Sequence, residues 1–160
     1  MNIRGGLLGL VLLAGCTPSS DPAPQAFTLD PNGIQPEGTD LRIDFGRAQT
    51  GVIETVSRLQ GGSPVEVTTN AQCGAGEVTA ARWSDGLTLN FLVGSFYGWV
   101  LDQDGFVTSA GFEVGQSFEG PRFEETSLGL EFEQGGIFGL MDEQGEDIAL
   151  LWSGVTCFFR

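Results

Sequence analysis

Tight-turn signals recur at short intervals from residue 77 to the end of the sequence. The signals are Asp85-Gly86, Gly94-Ser95, Asp104-Gly105, Gly135-Gly136, Gln144-Gly145 and Ser153-Gly154. Glycine reaches the positive φ angles that two-residue hairpin turns need, so these pairs mark the ends of antiparallel strands. Runs of strand-forming residues, such as 87–91 and 148–152, lie between them. The pattern predicts an antiparallel β-meander of about 7–9 strands.

One segment ahead of this meander has helical periodicity. Within residues 47–60, the apolar side chains fall on one stripe at the spacing of an α-helix: Val52, Ile53, Val56 and Leu59. Gly61-Gly62 follows and can end the helix in a left-handed cap. One helix followed by many hairpins predicts an α+β fold in which the antiparallel sheet dominates.

Two hairpins of the predicted meander resemble each other. Residues 87–100 align without gaps on residues 128–141, at an offset of 41. The identical pairs are Leu87/Leu128, Leu89/Leu130, Phe91/Phe132, Gly94/Gly135 and Gly98/Gly139. Chance similarity between β-hairpins can produce such a pattern, but the shared glycines favour a tandem duplication.

The predicted unit of one helix and a set of hairpins has known architectural counterparts. Over about residues 45–159, it resembles the β-lactamase inhibitor protein and small outer-membrane assembly lipoproteins. Those families act by binding other proteins. The resemblance therefore implies a non-enzymatic binding function, although fold similarity alone does not determine function.

The first residues have the features of an export signal. Arg4 precedes an apolar run over residues 7–14, which is too short for a membrane span of about 20 residues but suits a secretory signal. The run ends in Leu13-Ala14-Gly15-Cys16, which resembles the bacterial lipobox. The resemblance implies cleavage after Gly15 and acylation of Cys16. The alternatives are an ordinary signal peptide with an incidental cysteine, or a buried N-terminal helix.

The residues after Cys16 suggest where the anchored protein is located. Thr17 takes the position at which Asp favours retention at the inner membrane in the lipoproteins that this motif resembles. We therefore expect an anchor in the outer membrane, facing the periplasm. Five of the seven prolines lie before residue 40, as in a flexible tether. The expected organisation is a signal peptide over 1–15, a tether over 16–39 and a single α+β domain over 40–160.

Composition excludes several functions. The formal charge is −14, with seven arginines, no lysine and no histidine. An acidic surface repels phosphate, which argues against nucleic-acid partners. The lack of histidine removes Ser-His and Cys-His catalytic pairs, and the lack of lysine removes Schiff-base chemistry. A hydrolase that uses two carboxylates stays as a third functional hypothesis, and no cofactor is expected.

One turn also has the beginning of a calcium-binding pattern. Asp102-Gln103-Asp104-Gly105 contains a D-x-D-G core but lacks the terminal Glu of an EF-hand. Asp and Gly are also the residues that hairpin turns favour. We interpret the segment as a turn. Asp102 and Asp104 are the candidate ligands if the protein is instead a small-ligand or calcium-binding lipoprotein.

Two cysteines remain besides Cys16. Export would place Cys73 and Cys157 in an oxidising compartment, in which two remaining thiols usually pair. A disulfide between them is the predicted state. The alternative is a reactive thiol or a metal ligand, but no basic residue lies near Cys73 in the sequence to lower its pKa.

Residues 94–101 are apolar on both faces of a predicted strand. In regular alternation, Tyr97 and Trp99 share one face while Phe96 and Val100 share the other. Such a strand is either buried on both sides or presents one side to a partner. Because Tyr and Trp are favoured at interfaces, the face with Tyr97 and Trp99 is the predicted binding surface for an envelope protein or peptide. Ordinary core is the alternative.

Overall fold

The computed structural model describes residues 26–120 and 124–157. Within these ranges, one helix, α1 (Gln49–Gln60), accompanies two antiparallel sheets. The smaller sheet contains β1 (Phe27–Asp30), β2 (Gly33–Pro36) and β3 (Ile43–Asp44). The larger sheet contains β4 (Glu66–Asn70), β5 (Val78–Arg82), β6 (Leu87–Leu92), β7 (Ser95–Leu101), β8 (Glu124–Glu125), β9 (Leu130–Gln134), β10 (Ile137–Met141) and β11 (Ile148–Gly154). The predicted α+β class with a dominant antiparallel sheet is confirmed.

The large sheet consists of two four-stranded meanders joined at its centre. Its strand order is β4-β5-β6-β7-β11-β10-β9-β8. The last strands of the two meanders pair with each other, and Gly98 of β7 lies opposite Gly154 of β11. The turn glycines predicted the hairpins but not this central pairing, because it joins segments far apart in the sequence.

The small sheet is formed by residues expected to belong to a tether. β1 and β2 pair as a hairpin, and their apolar side chains are buried: Phe27, Leu29 and Ile34. The prediction of a flexible segment over 16–39 is therefore wrong for residues 27–36. Pro31 lies in the turn and Pro36 ends β2, positions at which a residue without an N–H is tolerated.

The predicted helix is confirmed and begins two residues later than expected. Val52 and Val56 are buried, and Ile53 and Leu59 pack against the same core. Gly61 ends the helix in a left-handed conformation, with φ at 72°. No side chain caps the other end; the backbone N–H of Gln49 instead donates to the carbonyl of Gly94 in the β6–β7 turn, at 2.9 Å. The hairpin thus supplies the acceptor that a capping side chain usually provides.

Trp99 joins the two sheets. Its side chain is 0% exposed, within a core shared by both sheets and α1. The indole N–H donates to the carbonyl oxygen of Asp30 in β1, at 2.8 Å. This bond satisfies the polar atom of a fully buried side chain, so it fixes β1 against β7 at one position.

A β-bulge at Tyr97 explains why Tyr97 and Trp99 do not share a face. Asn90 of β6 pairs with Gly98, but the next residue, Phe91, pairs with Phe96, which leaves Tyr97 as the extra residue. An extra residue moves every following side chain to the other face. Tyr97 is therefore 40% exposed while Trp99 is buried. The predicted surface shared by Tyr97 and Trp99 is wrong, and Trp99 is core.

The two similar hairpins lie on either side of β11, since both β7 and β10 pair with it. Their turns, Val93-Gly94 and Gly135-Gly136, are one residue out of step with the gapless alignment. The matched glycines Gly98 and Gly139 also face different neighbours. A Cβ at Gly98 would meet the backbone of Val155, whereas one at Gly139 would meet the ring of Phe132. The tandem duplication stays a prediction.

We expect Trp99→Phe to lower the free energy of unfolding by about 2–4 kcal/mol, because it removes buried volume and leaves the carbonyl of Asp30 without its donor. Tyr97→Phe on the same strand serves as the control and should change stability by less than about 0.5 kcal/mol. Urea unfolding of both variants measures the difference. Equal effects of the two substitutions would contradict the assignment of Trp99 to the core.

Candidate functional site

An apolar groove of about 630 Å³ lies between α1 and the small sheet. Val52, Thr55 and Leu59 contribute from the helix. The opposite side is formed by residues 36–43, which include Ile43 and Leu41. Leu41 is 78% exposed, so a large apolar side chain stands in solvent at the groove. A groove with this lining can accept an apolar group from another molecule.

Sequence on both sides of the groove explains its shape. The apolar stripe of α1 is wider than the core beneath it needs, so Val52 is buried while Leu59 stays partly open. Gly51 has no side chain, and a Cβ added there would meet nothing within 4 Å. The helix therefore leaves free space on the side that faces residues 36–43.

Two arginines border the groove, and their environments differ. Arg42 is held by two carboxylates, with Nη2 at 2.6 Å from Asp30 and Nε at 3.0 Å from Asp44. The hydrogen bonds that Arg42 donates to Asp30 and then to Asp44 raise the pKa of Arg42 above its ordinary value. Arg47 is exposed and forms no ion pair with any residue in the described ranges. Among the described residues, Arg47 thus has no carboxylate partner, and it lies at the groove of a chain whose formal charge is −14.

The two remaining cysteines come together at one end of the large sheet. Cys73 lies between β4 and β5, and its Sγ is 3.8 Å from the carbonyl oxygen of Thr156. The side-chain amide of Asn70 donates to Cys157 Sγ at 3.3 Å. Both cysteines are free thiols in the structure, so the disulfide stays a prediction. Burial, followed by the hydrogen bond with Cys73, raises the pKa of the Cys157 thiol to about 11.

The candidate calcium ligands are not brought together into a site. Both side-chain oxygens of Asp102 accept hydrogen bonds from the guanidinium of Arg82. The bond to Asp102 raises the pKa of Arg82, so this carboxylate already has a cationic partner. Asp104 is exposed in the turn that follows β7. Over residues 26–120 and 124–157, no group of three or more His, Cys, Asp or Glu side chains could hold a metal ion.

Sequence reasoning missed the groove. Its lining residues lie between Pro36 and Leu59, and the sequence predicted the first of them as part of a tether and the last as part of a helix. The available signal was the pair of arginines beside an apolar stripe in a chain that has only seven basic residues. The lipobox residue Cys16 lies outside the described residues.

Comparisons of the chain with protein-family models, with curated proteins and with solved structures found no match. In the part of the chain that the structure describes, no helix is long and apolar enough to cross a membrane.

The raised pKa of Cys157 predicts a pH dependence for the reduced protein. The unfolded thiol ionises near its ordinary value of 9.0 and the folded thiol near about 11, so the folded state binds more protons between these values. The stability contribution is complete below the unfolded pKa and is lost as the pH rises through the folded pKa. Between about pH 8 and about pH 11, the urea midpoint measured in reductant should fall more for the wild type than for Cys157→Ser. Equal losses would contradict the raised pKa.

Proposed function

We propose that this protein is a lipid-anchored binding protein of the cell envelope that uses the groove beside α1. The occupant is a segment of another protein with apolar side chains and a carboxylate that pairs with Arg47. The observation that supports this most directly is the combination, in an acidic protein, of an apolar groove and a guanidinium that has no carboxylate partner among the described residues. The proposal assigns no catalytic step to the chain.

The openness of the groove favours a protein segment over a small molecule. Small-ligand sites usually enclose most of the surface of their ligand. Here Leu41 stands exposed and the groove stays open to solvent, so one face of an occupant would remain uncovered. Segments that dock on a surface groove through a few apolar side chains have this geometry.

Charge complementarity indicates which segments bind. The acidic surface of the chain repels most acidic partners, and long-range attraction favours a partner of positive overall charge. Arg42, the other arginine at the groove, is already paired with Asp30 and Asp44. Arg47 is left to bind an acidic side chain or a terminal carboxylate, which it can do through two hydrogen bonds at once. Apolar residues beside one carboxylate therefore define the expected segment.

The position of the groove suits a tethered protein. The chain enters the fold at Ala26, whose carbonyl accepts a hydrogen bond from the N–H of Glu37 at 3.0 Å. Pro36, which directly precedes Glu37, lines the groove. Nine residues lie between Cys16 and Ala26, so these two residues can be at most about 35 Å apart. An acyl anchor on Cys16 would therefore keep the groove close to the membrane surface.

The anchor gives the first prediction of this proposal. Mass spectrometry of the protein from a bacterial envelope should show a polypeptide that begins at Cys16 and bears two or three acyl groups. A single acyl group would bind the membrane only weakly. Cys16→Ser should leave the chain unacylated and release it from the membrane fraction. A chain that retains Met1 and has no lipid would contradict the anchored location.

The groove gives the second prediction. A photoreactive amino acid placed at Leu41 in bacteria should form adducts with a protein segment that contains apolar residues and an Asp, a Glu or a C-terminus. Arg47→Glu should reduce the yield by about tenfold or more, because it replaces an attractive charge with a repulsive one. Mass spectrometry of the joined peptides identifies the attached residues.

The matched control is the same photoreactive residue at Val67, which is exposed on β4 and is not part of the groove. Leu41 and Val67 are both exposed, so the photoreactive residue at either position should leave the protein about as stable as the wild type. Equal adducts at both positions, adducts with lipid alone, or yields that Arg47→Glu does not change would contradict the proposed groove function.

A further inference from the structure

We infer that Cys73 and Cys157 form an intramolecular disulfide that fastens residues 155–157, the C-terminal strap, to the β4–β5 hairpin. This inference depends on the envelope location proposed above for its oxidant, but not on the groove. The bond would be a covalent modification at one end of the larger sheet, outside the groove.

The strap is positioned by backbone contacts that do not involve sulfur. After β11 ends at Gly154, the N–H of Val155 donates to the carbonyl of Tyr97 at 2.7 Å. The carbonyl of Val155 accepts a hydrogen bond from the side chain of Asn90 at 3.0 Å. The strap therefore crosses β7 and β6 in turn and brings Cys157 to the end of β4.

Glycine makes this crossing possible. A Cβ at Gly98 would lie 2.1 Å from the carbonyl oxygen of Val155 and 2.7 Å from its nitrogen. Gly98 has no unusual φ angle that would itself require glycine. The residue is therefore explained by the close approach of the strap, and it marks the strap as a built part of the fold.

The side-chain contacts of the two cysteines place both sulfurs near the end of β4. Cys157 Sγ accepts from Asn70, at the end of β4, while Cys73 Sγ contacts Thr156, the neighbour of Cys157. The proximity of Cys73 also contributes to the raised pKa of the Cys157 thiol. Cys73 is buried, so its contact with the strap is enclosed by protein. The contacts with Asn70 and Thr156 hold both cysteines at the same end of the sheet, and a local shift that brings the two sulfurs to about 2 Å would join them.

Among the described residues, β4, the outer strand of the hairpin that would be fastened, has few attachments besides β5. β4 is an edge strand that pairs with β5 alone, and none of its side chains is buried. Exposed edges open easily and can pair with other chains. A covalent link from the β4–β5 loop to the strap would close a loop of about 84 residues and restrict the unfolded chain strongly.

The bond would form by exchange with the disulfide of an envelope dithiol oxidant. Cys157 is more exposed than Cys73, so its thiolate attacks the oxidant first, and one oxidant sulfur leaves as a thiol. The Cys73 thiolate then attacks Cys157 Sγ and releases the second oxidant thiol. The two cysteines lose two electrons and two protons, and the oxidant gains both as two thiols.

The test begins with full-length protein from a bacterial envelope, treated with iodoacetamide before lysis. Trypsin cuts this chain only after arginine, which places Cys73 in residues 59–82 and Cys157 in residues 123–160. We expect these two peptides to be joined and two hydrogen atoms lighter than their sum. Alkylation of both cysteines, or a bond to Cys16 or to a second chain, would overturn the inference.

A second experiment tests the placement of the two thiols separately from the location of the protein in the cell. Reduced, purified full-length protein is incubated with oxidised glutathione and should form the same joined peptides. If the two peptides stay separate after this incubation, the inference that the fold places Cys73 and Cys157 for bonding is wrong. A bond that forms with glutathione but is absent from the envelope sample would overturn the envelope location, and with it the native bond.

Variants test the role of the strap. Reductant should lower the Tm of the wild type by roughly 10 °C and leave Cys73→Ser/Cys157→Ser unchanged. Gly98→Ala should reduce the joined fraction several-fold because its Cβ displaces the strap. Gly51→Ala is the matched control, since a Cβ there meets nothing within 4 Å. A wild type insensitive to reductant, or equal joined fractions in both glycine variants, would overturn the inference.

Discussion

The hydrogen bond between the indole of Trp99 and the carbonyl of Asp30 determines how the two sheets are placed. The side chain of the same aspartate accepts a bond from Arg42 and another from the N–H of Asn32. Asp30 therefore connects the buried core through its backbone to the edge of the groove through its carboxylate. The groove is open to solvent, but one of its sides is fixed to a side chain that is 0% exposed.

This arrangement depends in turn on the bulge at Tyr97. Without the extra residue, regular alternation would turn Trp99 away from β1 and would place its indole N–H on the opposite face of the sheet. The same bulge lies beside Gly98, where the C-terminal strap crosses β7. One irregular position thus sets both the core contact of Trp99 and the path of the last residues. Bulges commonly redirect a side chain in this way.

The sequence allowed the helix and most hairpins to be predicted, because a glycine-rich turn or an apolar stripe is a local signal. The β1–β2 hairpin was missed because Pro31 and Pro36 dominated the composition of a segment whose apolar residues are few and alternate. The face of Trp99 was assigned wrongly because the bulge follows from pairing with β6 and from the approach of Val155. The groove was missed for a similar reason: only tertiary contacts show that Arg42 is paired and that Arg47 forms no ion pair in the described ranges.

The central position of β11 has a consequence for how the chain matures. The first meander can assemble as soon as residues 66–101 are available, but one edge of β7 stays unpaired until residues 148–154 arrive. Because residues 148–154 occupy the middle of the sheet, the two meanders cannot form one sheet before this segment is available. Pairing between segments so far apart in the sequence closes slowly, so the free edge of β7 is open to other chains until β11 pairs with it.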